Sequence, residues 1–224
     1  MYKNFFKRVF DFILSLCALI VLSPLLIVFT IIGSIVMKGN PFFTQERPGK
    51  NEKIFKLIKF RSMSEEKDKD GNYLPDEKRL TQYGLFLRKT SLDELPELIN
   101  ILKGDMALVG PRPLLVSYLD LYTPVERHRH DVRPGLTGLA QMHGRNFLTW
   151  EEVFVYDLEY IKNISLINDL KILFGTVKVV LEHKDVEDRS KVYKKDGVLI
   201  YNDGNSERRV HAPLDVERSC SNEK

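Results

Sequence analysis

The sequence predicts a mainly helical α/β protein: an apolar N-terminal segment embedded in a membrane, then one domain of short helices with a small sheet. Three observations predict it. Residues 12–37 form a run of 26 without a charge, longer than the ~20 needed to cross a bilayer core. Beyond it, apolar residues recur at helical spacing between recognisable start and stop signals. Two short runs, residues 41–43 and 54–60, read as strands. The chain has 224 residues, 34 Lys+Arg against 31 Asp+Glu and a net charge of +3. That length suits one sizeable core. The charge is too mild for a dedicated nucleic-acid binder, so nucleic acid is not an expected partner. With 43% hydrophobic residues, disorder of the whole chain is excluded. Cys17 and Cys220 lie at opposite ends and give no disulfide framework. A mean hydropathy of −0.22 conceals the apolar run.

That run is too long for a secretory signal and no small-residue cleavage site closes it. Lys3, Lys7 and Arg8 precede it; Lys38, Arg47, Lys50, Lys53 and Lys56 follow it. With both flanks basic, the bias of Lys and Arg toward the cytoplasm gives no orientation for a spanning helix. Ser23-Pro24 lies near the middle, where a proline removes a hydrogen bond and kinks a helix. The Ser23 hydroxyl can satisfy a freed backbone group. The halves, residues 12–22 and 25–37, would be about 16 and 20 Å long, each short of the ~30 Å core. Two readings stay open: one kinked spanning helix, or a re-entrant helix–break–helix in one leaflet with both flanks on the cytoplasmic side. The flanks favour the second.

The rest is taken in order. Residues 64–79 read as a polar loop. Residues 80–88 suit a short helix. A second begins near Ser91 and runs to about Leu102, ended by Lys103-Gly104. Gly110-Pro111-Arg112-Pro113 is a rigid turn, and residues 114–122 and 124–130 suit short helices. Residues 133–146 are Gly-rich and irregular. Residues 150–163 and 164–181 read as two helices, the second with Ile164, Ile167, Leu170, Phe174, Val177 and Leu181 on one face. From about residue 183 acids and bases balance and apolar residues thin out, which predicts a weakly ordered extension.

Several common signatures are absent: the Walker phosphate loop, HExxH, CxxC and GxSxG. His128-Arg129-His130 reads as a solvated helix face. Asp68-Lys69-Asp70 is a literal DxD, but in a charged loop rather than at a strand end. Ser91-Leu92-Asp93-Glu94-Leu95-Pro96 carries more. As a capping box from Ser91 it misplaces Pro96; with Asp93 as N-cap, Pro96 is harmless. Either register sets two carboxylates at a helix N-terminus, where the dipole should keep Asp93 ionised. Such a carboxylate can bind Mg²⁺ or attack phosphorus. Lys59 and Arg61 end a strand, Arg88 precedes the dyad, Arg112 stands between prolines, and Arg133 and Arg145 bracket the Gly-rich stretch. Arginines suit phosphate, and glycines let amides approach an anion. Together these suggest a phosphate-ester substrate with a metal.

KFRSM (59–63), RLTQYGLFLRKTSLDELPELINILKGDMALVGPRPLL (79–115) and RHDVRPGLTGLAQMHGRN (129–146) resemble the bacterial sugar transferase family. These are the monotopic polyprenyl-phosphate phosphoglycosyltransferases. KRVFDFILSLCALIVLSPLLI (7–27) is similar to their membrane segment, Ser-Pro included. The resemblance covers residues 1 to 182 and suggests the minimal, PglC-type form without extra N-terminal membrane helices. It implies that a UDP-sugar gives its phosphosugar to a polyprenyl (undecaprenyl) phosphate, releasing UMP. It implies Asp93 as nucleophile of a ping-pong reaction, Glu94 assisting the metal or the lipid phosphate, and Mg²⁺ held by Asp93 and Glu94. Arg112 would bind phosphate; Lys59, Arg88, Arg145 and Asp157 would join the phosphate and nucleotide-sugar site.

The implied organisation is a re-entrant membrane hairpin (residues 1–38), a cytosolic catalytic domain (39–182) with amphipathic interfacial helices, and the extension (183–224). Residues 114–122 and 164–181 are the candidate interfacial helices, with core packing as the alternative. The implied setting is the cytoplasmic face of a bacterial inner membrane, at the first membrane step of glycoconjugate assembly, with downstream glycosyltransferases as possible partners. Two other readings compete: a metal-dependent glycosyltransferase using Asp68 and Asp70 and releasing UDP, and a non-catalytic membrane scaffold.

Overall fold

The computed structural model describes residues 1–144 and 148–181, and the backbone of three strands between residues 192 and 209. One wide turn, Tyr2–Phe6, leads into α1, Lys7–Val36. Pro24 lies inside α1, and the helix runs through it without interruption. The Ile20 carbonyl, which Pro24 leaves without its N–H partner, accepts from Ser23 Oγ at 2.8 Å. Helical structure thus continues across the expected break, because a side chain satisfies the backbone group that the proline frees.

By length and composition α1 is apolar enough to cross a membrane. One face nevertheless packs on the domain over most of its length. Lys7, Asp11 and Ser15, four residues apart, are buried, as are Phe29 and Gly33 further on. Ala18, Leu19 and Leu22 rest on a core of Phe55, Leu57, Leu98, Ile101 and Met106. Leu26 joins Phe29, Phe60 and Leu87. The opposite face, with Val21 and Ile35 among others, is exposed. Each end is fastened: Arg8 donates to the Leu102 carbonyl at 2.8 Å, and the Tyr83 hydroxyl to the Phe29 carbonyl at 2.8 Å.

Strands β1 (Phe42–Pro48) and β2 (Ile54–Phe60) form an antiparallel hairpin in which Phe43 faces Lys59. The two-residue repeat of a strand sets Phe55, Leu57 and Lys59 on one side. Residues 64–79 are mainly loop, closed by α2 (Asp76–Arg79); α3 (Gln82–Thr90) starts on Thr81, whose side chain caps Gly84 N. The expected helix from Ser91 is different. Ser91 has φ 56° and ends α3; Leu92–Glu94 is a 3-10 turn; α4 proper is Glu97–Lys103 with Pro96 as its N-cap. Pro96 has no N–H for the Leu92 carbonyl, which Leu95 N takes instead at 3.3 Å, so the chain tightens before α4 begins.

Gly104, φ 93°, stops α4. β3 (Ala107–Val109) then pairs parallel with β4 (Gly135–Thr137). A Cβ on Gly135 would lie 2.1 Å from Gly110 N, so these glycines serve strand-to-strand approach rather than the anion contact expected of them. Residues 116–121 and 126–131 are 3-10 turns, more tightly wound than the α-helices predicted. Within residues 114–122, Leu114 and Tyr122 are buried and Leu121 is exposed. α5 (Leu139–His143), α6 (Trp150–Lys162, opened by a Thr149–Glu152 capping box) and α7 (Leu166–Leu181) complete the domain.

On α7 the predicted apolar stripe points outward: Ile167 and Phe174 are largely exposed, whereas Ile172 and Asp169 are buried. Leu170 and Val177 of the stripe are exposed as well, while Ile164, just ahead of α7, packs partly against the core. In the C-terminal extension, where little order was expected, β5 (Val192–Lys195), β6 (Val198–Asn202) and β7 (Glu207–Arg209) pair antiparallel. Val192, Tyr193, Val198, Ile200 and Tyr201 supply the branched and aromatic residues that strands favour.

Candidate active site

Five elements converge beside the N-terminus of α4. β2 delivers Lys59 on its core-facing side. α3 delivers Arg88, whose Nε donates to Ser62 Oγ at 2.8 Å. The 3-10 turn carries Asp93 and Glu94, α4 opens with Glu97, and the turn after β3 carries Arg112. Glu94 Oε1 lies 2.6 Å from Arg112 Nη2 and 3.2 Å from Lys59 Nζ. The same ammonium lies 3.4 Å from Glu97 Oε1.

The charges sort the three acids. Burial pushes Glu94 up, but Arg112 and Lys59 outweigh it and hold its carboxyl well below the usual range. Burial raises Asp93 to about 6; Glu94 adds to this, while Lys59, Arg88 and Arg112 pull against it. Burial raises Glu97 to about 7 despite Lys59. Burial alone would lower Lys59, yet Glu94 and Glu97 keep it above its ordinary value. Asp93 is not at the N-terminus of α4, so the helix-dipole expectation fails: desolvation, not a dipole, dominates this carboxyl.

Asp93 and Glu94 therefore differ in kind. Both cations meet Glu94 on Oε1. No side-chain hydrogen bond ties Asp93 among the described residues. It is the acid with free lone pairs inside a cationic setting. No group of three His, Cys, Asp or Glu residues forms a metal cage among the described residues. Asp93 and Glu94 Oε2 still fit the Mg²⁺ habit of taking one or two carboxylates and leaving the remaining positions to water and phosphate.

Comparison with known proteins shows the family of the chain. The bacterial sugar transferase family matches residues 2–183. An uncharacterized sugar transferase, EpsL, of Bacillus subtilis (strain 168) is 49% identical over 187 residues, 83% of this chain and 92% of that protein. The chain belongs to the bacterial sugar transferase family. It is also 40% identical to an undecaprenyl-phosphate galactose phosphotransferase of Salmonella typhimurium, over 80% of this chain and 41% of the relative. A UDP-glucose:undecaprenyl-phosphate glucose-1-phosphate transferase of Klebsiella pneumoniae is 43% identical, over 77% and 39%. The chain thus spans about two fifths of the length of these two longer relatives.

In this sugar transferase, Lys59, Arg88, Asp93, Glu94 and Arg112 come together as the sequence predicts. Asp157 does not join them. It is buried on α6 and accepts from Arg129 Nε at 3.1 Å and Nη2 at 2.7 Å. Arg129 Nη2 also donates to the Arg112 carbonyl at 2.8 Å. Asp157 is therefore one step behind the site and braces Arg112 through Arg129. Arg145 lies outside the described residues. The predicted solvated face at residues 128–130 is wrong for two of its three members, since Arg129 and His130 are buried. Asp68 and Asp70 lie in an exposed turn, where Asp68 Oδ1 accepts from the Asp70 and Asn72 amides. That carboxylate oxygen is used to fold the turn. Sequence reasoning missed Glu97, Ser62 and Arg129. Only Glu97 left a signal, three residues after Glu94 and so on the same helical side.

Proposed function

We propose that the protein transfers a phosphosugar from a UDP-sugar to a polyprenyl phosphate at the cytoplasmic membrane face, releasing UMP. The observation that carries this reading is the contrast within the dyad. Glu94 Oε1 is paired with both Arg112 and Lys59, while Asp93, set among the same cations, has no side-chain hydrogen bond among the described residues. The names of the relatives, which specify undecaprenyl phosphate and sugar phosphates, support the substrate class.

An Asp93 oxygen attacks the phosphorus that bears the sugar. The bond from that phosphorus to the bridging oxygen breaks, and UMP leaves with the oxygen. An oxygen of the lipid phosphate then attacks the phosphosugar-aspartate, the bond to Asp93 breaks, and the carboxylate returns with polyprenyl-diphosphate-sugar as product. Arg112, Lys59 and Arg88 balance the negative charge of the diphosphate. Mg²⁺, held by Asp93 and Glu94, would neutralise further charge on the transferring and leaving phosphates.

Two features support anchoring in one leaflet. Both ends of α1 are fastened to the same domain, as a re-entrant path requires. The outward apolar faces of α1 and α7 suit an interfacial position. This height brings the dyad to the lipid phosphate, and the lipid-linked product stays in the membrane for later glycosyltransferases. A UMP-release assay across a panel of UDP-sugars, with polyprenyl phosphate and Mg²⁺, tests the reaction. UMP with at least one sugar is expected; UDP without UMP would overturn it.

A further inference from the structure

Tyr160, on α6, is 1% exposed, and its hydroxyl lies 3.0 Å from the Val109 carbonyl and 2.8 Å from Asp169 Oδ1. Asp169, on α7, is buried as well. Its Oδ2 accepts from Lys7 Nζ and from the Tyr2 hydroxyl, each at 2.7 Å. Lys7 lies 3.8 Å from Asp11, whose Oδ1 accepts from the Leu108 amide at 3.1 Å. The network runs from the membrane segment through two other helices and ends on consecutive residues of β3. Arg112 follows Val109 by three residues.

No step of the reaction uses these groups, and burying them is costly. Ion pairs of this kind often add less stability than apolar residues of the same volume, and their best-attested use is to specify one arrangement. The arrangement specified here is the place of β3. The ladder to β4 rests on few residues, and Val109 O and Leu108 N are held by side chains instead. From its other end the turn is held by Arg129 on the Arg112 carbonyl.

We propose that Tyr160 and Asp169 are positioning residues that tie the N-terminal end of α1 to β3 and thereby fix Arg112 beside Glu94. This rests on the reading of Arg112 as a charge-balancing residue of phosphosugar transfer. Asp169→Asn would leave Lys7 buried without its anion and risks misfolding. Tyr160→Phe keeps the ring and removes only the hydroxyl, so it is the sharper probe.

The test is a double-mutant cycle on full-length enzyme in lipid nanodiscs, assayed for UMP release. Tyr160→Phe, Arg112→Lys, the double variant and wild type are compared by kcat/KM for the UDP-sugar. If Tyr160 acts through Arg112, Arg112→Lys costs at least about fivefold less in the Tyr160→Phe background, the coupling expected of linked residues. With Asp68→Asn as a remote control, the losses multiply. Losses that multiply to within about twofold for the Tyr160 pair would overturn the proposal. Should Tyr160→Phe fail to fold, Tyr2→Phe, which removes one donor from Asp169, is read by the same criterion. A wild-type enzyme that released no UMP would overturn the underlying reaction too; multiplying losses in an active enzyme would overturn only the positioning role.

Discussion

Arg112 Nη2 lies 2.6 Å from Glu94 Oε1, so the nearest guanidinium contact belongs to Glu94 and leaves Asp93 open. This division predicts unequal roles for two adjacent acids. Asp93→Asn should lower kcat by more than ~10³-fold, as when a group acting in the transition state is removed. Glu94→Gln should keep measurable turnover but lose roughly 10- to 100-fold, because it leaves Lys59 and Arg112 underneutralised. Steady-state UMP release by purified variants checks both.

The pH profile should carry the same signature. Asp93 must be ionised to attack, and burial followed by Lys59 and Glu94 leaves it at about 6. kcat/KM for the donor should therefore fall as pH drops through about 6, near tenfold per unit below it. Removing the adjacent negative charge in Glu94→Gln should move that limb to lower pH. A limb that stays in place in this variant would argue that another group sets it.

Stability should respond to acid through His130. Burial, aided by Arg129, pushes this imidazole down to about 4, whereas an unfolded histidine titrates near ~6.5. The unfolded chain therefore binds a proton that the folded chain refuses. The contribution is complete above about 6.5 and is lost as pH falls from there toward 4. Unfolding curves at pH 7, 6 and 5 should show an acid slope larger in wild type than in His130→Gln by about one proton.

The brace behind Arg112 should be costly to break. Asp157→Ala leaves Arg129 buried without its anion, a loss of about 3–5 kcal/mol, read as a lower thermal midpoint. Arg129→Met combined with Asp157→Leu should recover part of that stability, but not activity, because the Arg112 carbonyl still lacks its donor.

Gly135→Ala should fail for a steric reason, since its Cβ would lie 2.1 Å from Gly110 N. Overpacking of this kind typically costs about 1–3 kcal/mol. Expression and thermal unfolding would show it.

The sequence displayed the chemistry better than its support. The apolar run, the β2 strand that carries Lys59, the α3 helix and the Asp-Glu dyad follow from short-range pattern, and local propensity governs them. Periodicity showed the α7 stripe but not its outward direction, because a stripe does not say what it faces. Arg129 and Asp157 stand 28 residues apart, and a charge between two histidines gives no sign of a buried partner at that separation. Asp93 was expected to be stabilised by a helix dipole. Pro96 displaced the helix start past it, and desolvation became the dominant influence instead.

The central claim is that Asp93 becomes covalently attached to the phosphosugar. Intact-protein and peptide mass spectrometry of enzyme mixed with an active UDP-sugar, without lipid acceptor, tests it directly. A phosphosugar adduct on Asp93, formed with UMP release and lost on adding polyprenyl phosphate, is the predicted result. Full turnover with acceptor, but no adduct on Asp93 without it, would contradict the account.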